Sequence, residues 1–255
     1  AIDGSDTEGN AMSTVNYSFS LDGTPPSVSG RSPAADATNI LKATNVVFTI
    51  SDANTNVDLS SVSATVDGTT YTQSRDNTFS YTGGGSSYEI TVNPASDFTK
   101  ASTINVAIDG SDTEGNAMST VNYSFSLDGT PPAISSLNPV HAADNVSKNS
   151  NVTFTVSDVS ANVDLSSVST TLKGITYTES GDNTFSYTGS GNSYNITINP
   201  SSDFTRGETV SVSIDASDSE GNAMTTAESS FEVINNSVPT ITLIPDKTIT
   251  AEDLL

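Results

Sequence analysis

The stretch AIDGSDTEGNAMSTVNYSFSLDGTPP occupies residues 1–26 and recurs letter for letter at residues 107–132, an offset of 106 residues. The same offset aligns DNTFSYTGGGSSYEITVNP, which begins at residue 76, with DNTFSYTGSGNSYNITINP, which begins at residue 182. A repeat of this length is too long for a solenoid unit and is the size of a self-contained domain. The repeat therefore predicts tandem copies of one domain.

The repeat also sets the domain boundaries. Residues 24–129 and 130–236 are assigned to two complete copies, residues 1–23 to the last two strands of a preceding copy, and residues 237–255 to the start of a following copy. We therefore expect the chain to belong to a longer array of such domains.

Apolar residues within each copy alternate with polar ones in short runs that are bounded by turn residues. This period of two, at this spacing, predicts an all-β fold in which each copy is an antiparallel β-sandwich of about seven strands. No segment shows helical periodicity of useful length. The expected core of the first copy contains Phe48, Ile50, Val106 and Ile108. Their counterparts in the second copy are Phe154, Val156, Val212 and Ile214.

Composition excludes several classes of function. The chain has 30 acidic and 8 basic residues, a net charge of -22, so it repels phosphate backbones and anionic lipid and is not expected to bind nucleic acid. It has no cysteine and one histidine, His141, which leaves no material for a zinc-thiolate site or a Ser-His-Asp triad. No apolar run is long enough for direct membrane insertion. The acidic residues lie in glycine-rich loops, with no sign of an apolar pocket that would separate their pKa values. The chain is therefore predicted not to be an enzyme.

Three motifs carry a resemblance to a known family. They are Asp22-Gly23-Thr24-Pro25-Pro26 at the start of a copy, Ser51-Asp52 after the second strand, and the run from Asp109 to Asn116 with its EGN turn. The pattern resembles the bacterial immunoglobulin-like (Ig-like) domains found in tandem in large secreted or cell-surface adhesins. The resemblance implies tandem Ig-like sandwiches that act as spacers, with calcium at the domain junctions.

The positions of the acidic residues point to a metal site. If seven strands run alternately down and up, the loops that follow the second, fourth and sixth strands lie at the end where the chain enters the domain. Carboxylates from the linker and from two of these loops then converge on that end. The candidate ligands are Asp22, Asp52, Asp58, Asp109, Asp112 and Glu114 in the first copy, and Asp128, Asp158, Asp164, Asp215, Asp218 and Glu220 in the second.

Clustered like charges cost free energy unless something neutralises them, and calcium takes six to eight oxygen ligands. The sequence therefore predicts calcium as the bound ion. The alternative is that these residues are solvated turn residues, because Asp, Asn, Ser and Gly are common in turns.

The predicted function is that of non-enzymatic extender repeats in a large bacterial extracellular or cell-surface adhesin-like protein, with neighbouring repeats of the same chain as partners. One alternative is a segment of an extracellular filament or sheath with lateral contacts between identical chains. Another is a module that binds a glycan or a host protein through tyrosines such as Tyr81 and Tyr88. Near-identity of the copies favours the first two, because a specific binding face tends to be carried once.

Overall fold

A computed structural model describes residues 1–73, 78–99, 102–181 and 184–236. Within these ranges the chain forms seventeen β-strands and no helix, as the all-β prediction requires. The described part therefore has no helix that could cross a membrane. Two compact units are present, Ala1–Thr130 and Pro131–Leu255. Residues 237–255, which the sequence assigns to a following copy, lie outside the described ranges.

The first unit is a sandwich of two four-stranded sheets. Its strands are β1 (Ser27–Ser32), β2 (Val46–Ser51), β3 (Val57–Val66), β4 (Thr69–Thr72), β5 (Phe79–Gly84), β6 (Ser87–Val92), β7 (Thr103–Asp112) and β8 (Val121–Ser126). One sheet has the order β1-β2-β6-β5 and the other has the order β4-β3-β7-β8. All neighbouring strands in both sheets are antiparallel.

The second unit repeats this arrangement with one additional strand. Its strands are β9 (Ala133–Asn138), β10 (Ala143–Val146), β11 (Val152–Ser157), β12 (Val163–Leu172), β13 (Ile175–Thr178), β14 (Phe185–Ser190), β15 (Ser193–Ile198), β16 (Thr209–Asp218) and β17 (Ala227–Val233). The sheet orders are β14-β15-β11-β9 and β10-β17-β16-β12-β13. β10 pairs with β17 in parallel, whereas the remaining pairs are antiparallel.

The short strands were not predicted from the sequence. β4 has four residues and follows β3 after a tight turn in which Gly68 has a positive φ of 77°, so it offers too little alternation to be recognised. β10 is equally short, and in the first unit its place is taken by a single parallel bridge between Ile40 and Leu127. Each copy consequently has one or two strands more than the predicted seven.

The core lies between the two sheets of each unit, where alternate residues of the strands point inward. β2 shows this most clearly, because Val46, Phe48 and Ile50 are fully buried and the residues between them are half-buried. Val106 and Ile108 of β7 lie in the same core, as predicted. The predicted counterparts Phe154, Val156, Val212 and Ile214 are likewise buried in the second unit.

Three loops meet at one end of each sandwich. In the first unit, the Asp52 N–H donates to the Ser86 carbonyl over 2.9 Å, and the Thr113 N–H donates to the Asn56 carbonyl over 2.8 Å. These bonds join the β2–β3 loop to the β5–β6 turn and to the β7–β8 loop. The second unit repeats them between Asp158 and Asn192 and between Ser219 and Asn162. The end predicted to collect the acidic residues is thus a real structural feature of each copy.

Residues 1–26 do not form strands like those of their identical counterpart. They are held by two isolated bridges, Ile2 with Val15 and Ser5 with Ala11, and their side chains are almost all exposed. The same letters at residues 107–132 supply the end of β7 and all of β8.

Candidate metal centre

Three carboxylates come together at the loop end of the first sandwich. One oxygen each from Asp22, Asp52 and Asp112 lies within 4.8 Å of the others. Calcium binds oxygen at about 2.3–2.6 Å, so ligands on opposite sides of one ion are about 4.8 Å apart. All three carboxylates can therefore contact a single ion.

Asp52 is the first residue after β2 and is buried. Its Oδ1 accepts hydrogen bonds from the N–H groups of Asn54 and Thr55, both over 2.8 Å. Such a bond from an aspartate to backbone two or three residues later is typical of a turn that an Asp side chain stabilises. Both main-chain hydrogen bonds of this turn end on Oδ1 of Asp52, and Oδ2 accepts neither of them.

Asp112 ends β7 and is also buried. Oδ1 accepts the N–H groups of Glu114 and Asn116 over 3.0 and 2.8 Å, while Oδ2 accepts from Asn116 Nδ2 over 2.7 Å and from Thr55 Oγ1 over 3.1 Å. Burial pushes the pKa of Asp112 upward, but these hydrogen bonds, led by that of the Asn116 side chain, outweigh it and hold the pKa below its ordinary value. The carboxylate is therefore ionised at neutral pH.

Asp22 lies in the segment that leads into the first copy, residues 22–26, which we call the linker segment. Its Oδ1 accepts the hydroxyl and the N–H of Thr24 over 2.7 and 3.0 Å, and these bonds lower the pKa of Asp22. The Asn54 side chain donates to the same oxygen over 3.4 Å, and that of Asn116 donates to the Asp22 carbonyl over 3.3 Å. The linker segment is thus hydrogen-bonded to both neighbouring loops.

The second carboxylate oxygen of Asp22, Oδ2, differs from Oδ1 in its hydrogen bonding. Asp22 Oδ2 is buried and has no hydrogen-bond partner among the described residues. A buried charged oxygen without a donor is unfavourable unless a cation satisfies it. A cavity of about 510 Å³ opens beside it and is also lined by Asn54, Thr55 and Glu114, which leaves room for water ligands. The residues present therefore fit a hard, oxygen-binding cation.

The other sequence-predicted ligands of the first copy lie outside this group. Asp58 lies within β3 and accepts from the N–H and hydroxyl of Ser60, and Asp109 lies within β7 and accepts from the Thr120 hydroxyl. β3 and β7 extend further than predicted, so these two residues are strand residues and not loop residues. Side chains alternate along a strand, and Asp109 is three residues before Asp112, so the two point to opposite faces.

Glu114 is exposed and lines the cavity beside Asp22 without belonging to the three-carboxylate group. In the first copy the structure therefore brings together three of the six predicted ligands, with Glu114 nearby.

Two carboxylates of the second copy repeat the local setting of the first. Asp158 is buried, and its Oδ1 accepts the N–H groups of Ser160 and Ala161, both over 2.8 Å. Its Oδ2 is buried, with no hydrogen-bond partner in the part of the chain that the structure describes. Asp218 is buried and accepts the N–H and the side-chain amide of Asn222, both over 2.8 Å. An unsatisfied carboxylate oxygen therefore occurs in each copy.

The remaining predicted ligands of the second copy can each be compared with their counterparts in the first copy. Asp128 Oδ1 accepts the N–H and the hydroxyl of Thr130, as Asp22 does from Thr24. Asp164 and Asp215 lie within strands and bond locally, to Ser166 and Thr226 respectively. Glu220 is buried, unlike its exposed counterpart Glu114.

The amide and hydroxyl side chains that orient these carboxylates were not predicted from the sequence. Asn54, Thr55 and Asn116 hold Asp22, Asp52 and Asp112 in place, yet none of them was a candidate. The available signal was the recurring Asp-x-Glu-Gly-Asn motif, in which the asparagine four residues after the aspartate bonds back to it.

The tyrosines considered for glycan binding form cross-strand pairs. The Tyr81 and Tyr88 rings meet edge to face with centroids 5.7 Å apart, and Tyr187 and Tyr194 do the same in the second unit. Tyr81 and Tyr187 each remain close to half exposed.

With this geometry in place, comparison with known proteins decides the family. Bacterial Ig-like domains match residues 22–127 and again residues 128–233. The chain belongs to the family of bacterial Ig-like domains. The two matches begin at Asp22 and Asp128, the equivalent linker aspartates. Domains of this family typically occur in extracellular or surface proteins and are generally non-catalytic.

Several solved structures match the chain at low sequence identity. Titin domains Z1Z2 in complex with telethonin are 16% identical, with a TM-score of 0.35 over 85% of this chain and 98% of that chain. The fibronectin(III)-like modules of Clostridium thermocellum CbhA are 14% identical, with a TM-score of 0.28 over 82% and 94%. Dimeric latent PorU from Porphyromonas gingivalis is 15% identical, with a TM-score of 0.35 over 84% of this chain and 24% of PorU. The comparison with curated proteins returns no match.

Proposed function

We propose that the chain is a non-enzymatic extender segment of a large bacterial extracellular or cell-surface protein, and that calcium fixes the segment leading into each copy to the body of that copy. The observation that carries the proposal is the placement of Asp22. It lies in the linker segment, yet its carboxylate groups with Asp52 and Asp112, which belong to two loops of the sandwich.

An extender holds other parts of a protein at a distance, so its function depends on the rigidity of the connection between each domain and the segment before it. It does not depend on a concave binding site. Proline at residues 25 and 26 already restricts the backbone of the linker segment. A metal held by one linker carboxylate and two loop carboxylates would add a second restraint. Near-identical copies suit this role, because a stiff row of domains needs the same restraint at the linker segment of each copy.

Calcium is the ion that these groups fit best. Three carboxylates supply hard oxygen ligands, and the adjoining cavity can hold the waters that complete a coordination number of six to eight. Magnesium demands near-ideal octahedral geometry and gives up its waters reluctantly, so it suits this arrangement less. By sequence, Asp128, Asp158 and Asp218 stand at the same offsets in the second copy, and the proposal extends to them.

The test is calcium titration of the whole chain by isothermal calorimetry. Wild type is expected to bind two ions with dissociation constants of about 10⁻⁴–10⁻³ M, the range of extracellular modules. Asp22→Asn should bind one ion, since it removes a ligand of the first copy and alters no core residue. Asp58→Asn is the matched control, because Asp58 is an acidic residue of the same copy outside the group, and it should still bind two.

Thermal unfolding supplies an independent reading of the same proposal. Calcium should raise the unfolding midpoint of wild type and of Asp58→Asn, and it should raise that of Asp22→Asn less. Equal stoichiometry in Asp22→Asn and wild type, or no saturable binding in the millimolar range, would contradict the calcium proposal.

A further inference from the structure

A second cavity of the first unit lies away from the acidic loops. It has a volume of about 560 Å³ and is lined by Arg31 of β1, by Asp36, and by Thr65, Asn105, Asn122 and Tyr123 of the adjacent sheet. This volume falls within the range of about 300–1,000 Å³ that is usual for small-molecule sites. The lining groups are mostly hydrogen-bonding side chains around one positive charge.

Arg31 is the distinctive residue of this cavity. Its guanidinium lies 5.0 Å from the centroid of the Tyr123 ring, and within the described ranges it takes part in no ion pair. By contrast, Lys148 and Lys173 each pair with a carboxylate, and Arg206 donates to a main-chain carbonyl. The chain has a net charge of -22, and Arg31 is exposed, so the N–H donors of its guanidinium can contact a ligand.

Tyr123 forms the base on which Arg31 rests. Tyr123 is 9% exposed, and its hydroxyl is buried with no hydrogen-bond partner within the described ranges. Burial raises the pKa of the phenol, with the Arg31 charge opposing, so the hydroxyl stays protonated and keeps an unused donor. The cavity therefore combines an available cation with a nine-tenths buried polar side chain that the fold leaves unsatisfied.

The second copy shows that the sandwich does not require this pair. At the equivalent positions it has Leu137 and Ser229, and it still forms a two-sheet sandwich, in which one sheet carries the additional strand β10. Of the two complete copies, the first thus has the arginine-tyrosine pair, and the second forms its sandwich without it. A feature carried once among near-identical copies is what a binding site, unlike a joint, would show.

We propose that this cavity binds a small sugar acid. The planar guanidinium of Arg31 matches a carboxylate in a bidentate manner. The amides of Asn105 and Asn122 and the Asp36 carboxylate offer donors and acceptors that suit sugar hydroxyls. A ligand with a single carboxylate suits the site better than an acidic peptide, because each further negative charge would approach a strongly acidic protein.

The test uses glucuronate as the probe and the whole chain as the protein, in calcium-free buffer so that the acidic loops do not contribute. Saturation-transfer NMR and a titration followed by amide chemical shifts should show saturable binding of glucuronate. Glucose, which lacks the carboxylate, and acetate, which lacks the hydroxyls, should each bind at least about tenfold more weakly.

The decisive variant is Arg31→Leu, which installs the residue found at the same place in the second copy and should therefore fold. It should weaken glucuronate binding at least about tenfold, the loss expected when a charged hydrogen bond is removed. Arg206→Leu removes a cation elsewhere and should leave binding unchanged. Absence of saturable glucuronate binding, equal binding of glucose, or unchanged binding by Arg31→Leu would each overturn the proposal.

Discussion

Asp112 supports the fold through four donors that converge on its two oxygens. An amide in its place would direct its own N–H groups at some of those donors. We therefore expect Asp112→Asn to lower the thermal midpoint of the first copy by several degrees in the absence of metal, as measured by circular dichroism. Asp6→Asn is the matched control. Asp6 stands at the identical position of residues 1–26 and makes the same bonds to Asn10, but it is exposed and packs against no core.

The pH dependence of this effect follows from the lowered pKa of Asp112. A carboxylate whose pKa is lower in the folded state stabilises that state above its unfolded pKa, near 3.8, and loses the contribution as pH falls through the folded pKa. The difference in midpoint between wild type and Asp112→Asn should be full at pH 7 and should shrink steadily below about pH 3.8. A difference that is constant down to pH 2 would show that the charge of Asp112 does not stabilise the fold.

Tyr123 carries a buried hydroxyl that no described protein group hydrogen-bonds. Replacing Tyr123 by phenylalanine keeps the ring next to Arg31 and removes a buried donor that has no partner among the described protein groups. We expect Tyr123→Phe to raise the free energy of unfolding by about 1 kcal/mol in urea denaturation. Tyr17→Phe changes the same letter of the exposed duplicate, where the side chain is 62% accessible, and should have no effect. A destabilised Tyr123→Phe would indicate a bound water on the hydroxyl.

β7 and β8 show how far strand formation depends on partners. Phe125 and Leu127 are 1% and 5% exposed, whereas the same letters at Phe19 and Leu21 are 77% and 84% exposed. Alternation correctly predicted which residues face a core, because that property belongs to the sequence itself. A core also requires partner strands: residues 107–112 lie in β7, which pairs with β3, whereas within the described ranges residues 1–26 are joined by two isolated bridges. Local pattern thus predicts the strand, and only long-range pairing forms it.

The candidate site divides in the same way. The turn made by Asp112 and Asn116 recurs with the same bonds at Asp6 and Asn10, so five adjacent residues are sufficient to encode it. The grouping of Asp112 with Asp22 is a different matter. It depends on the register of β3 with β7 and on where each strand ends, which alternation does not fix. The sequence therefore indicated acidic loops at one end but included Asp58, which the extended β3 takes out of the loop.

Two core positions that face each other across the sandwich differ between the copies, and the changes in their side-chain volumes compensate. A Cβ added to Gly110 of β7 would lie 2.8 Å from Ile50 Cδ1 of β2. The second copy has Ala216 and Val156 at these positions, one methyl group gained and one lost. Gly110→Ala alone should cost about 1 kcal/mol through overpacking, and Ile50→Val alone about 1 kcal/mol through a cavity.

Because the added and the removed methyl groups occupy the same space, the double variant should be more stable than the sum of the single effects predicts. Urea unfolding of all four proteins gives the coupling free energy. Additive costs would mean that the two sites relax independently and that the exchange between copies is coincidental.

Differences between the copies come in groups that preserve the sandwich. Gly110 and Ile50 change together in the core, and Arg31 and Tyr123 change together at the cavity. Lys173 pairs with Glu208 in the second unit, whereas Asp67 and Ser102 occupy these positions in the first. Both copies thus form a two-sheet sandwich while side chains at their surfaces differ.

The charge of the chain acts on the stability of every copy at once. With 30 acidic residues against 8 basic ones, the folded state concentrates a net charge of -22 and repels itself. Raising sodium chloride from about 0.01 M to about 1 M shortens the Debye length from about 30 Å to about 3 Å. We therefore expect the thermal midpoint to rise by several degrees across this range in the presence of chelator. The rise should disappear near pH 4.1, the sequence isoelectric point, where the net charge vanishes. A salt effect of the same size at pH 4.1 and pH 7 would assign it to strengthened apolar burial, because only the electrostatic term depends on net charge.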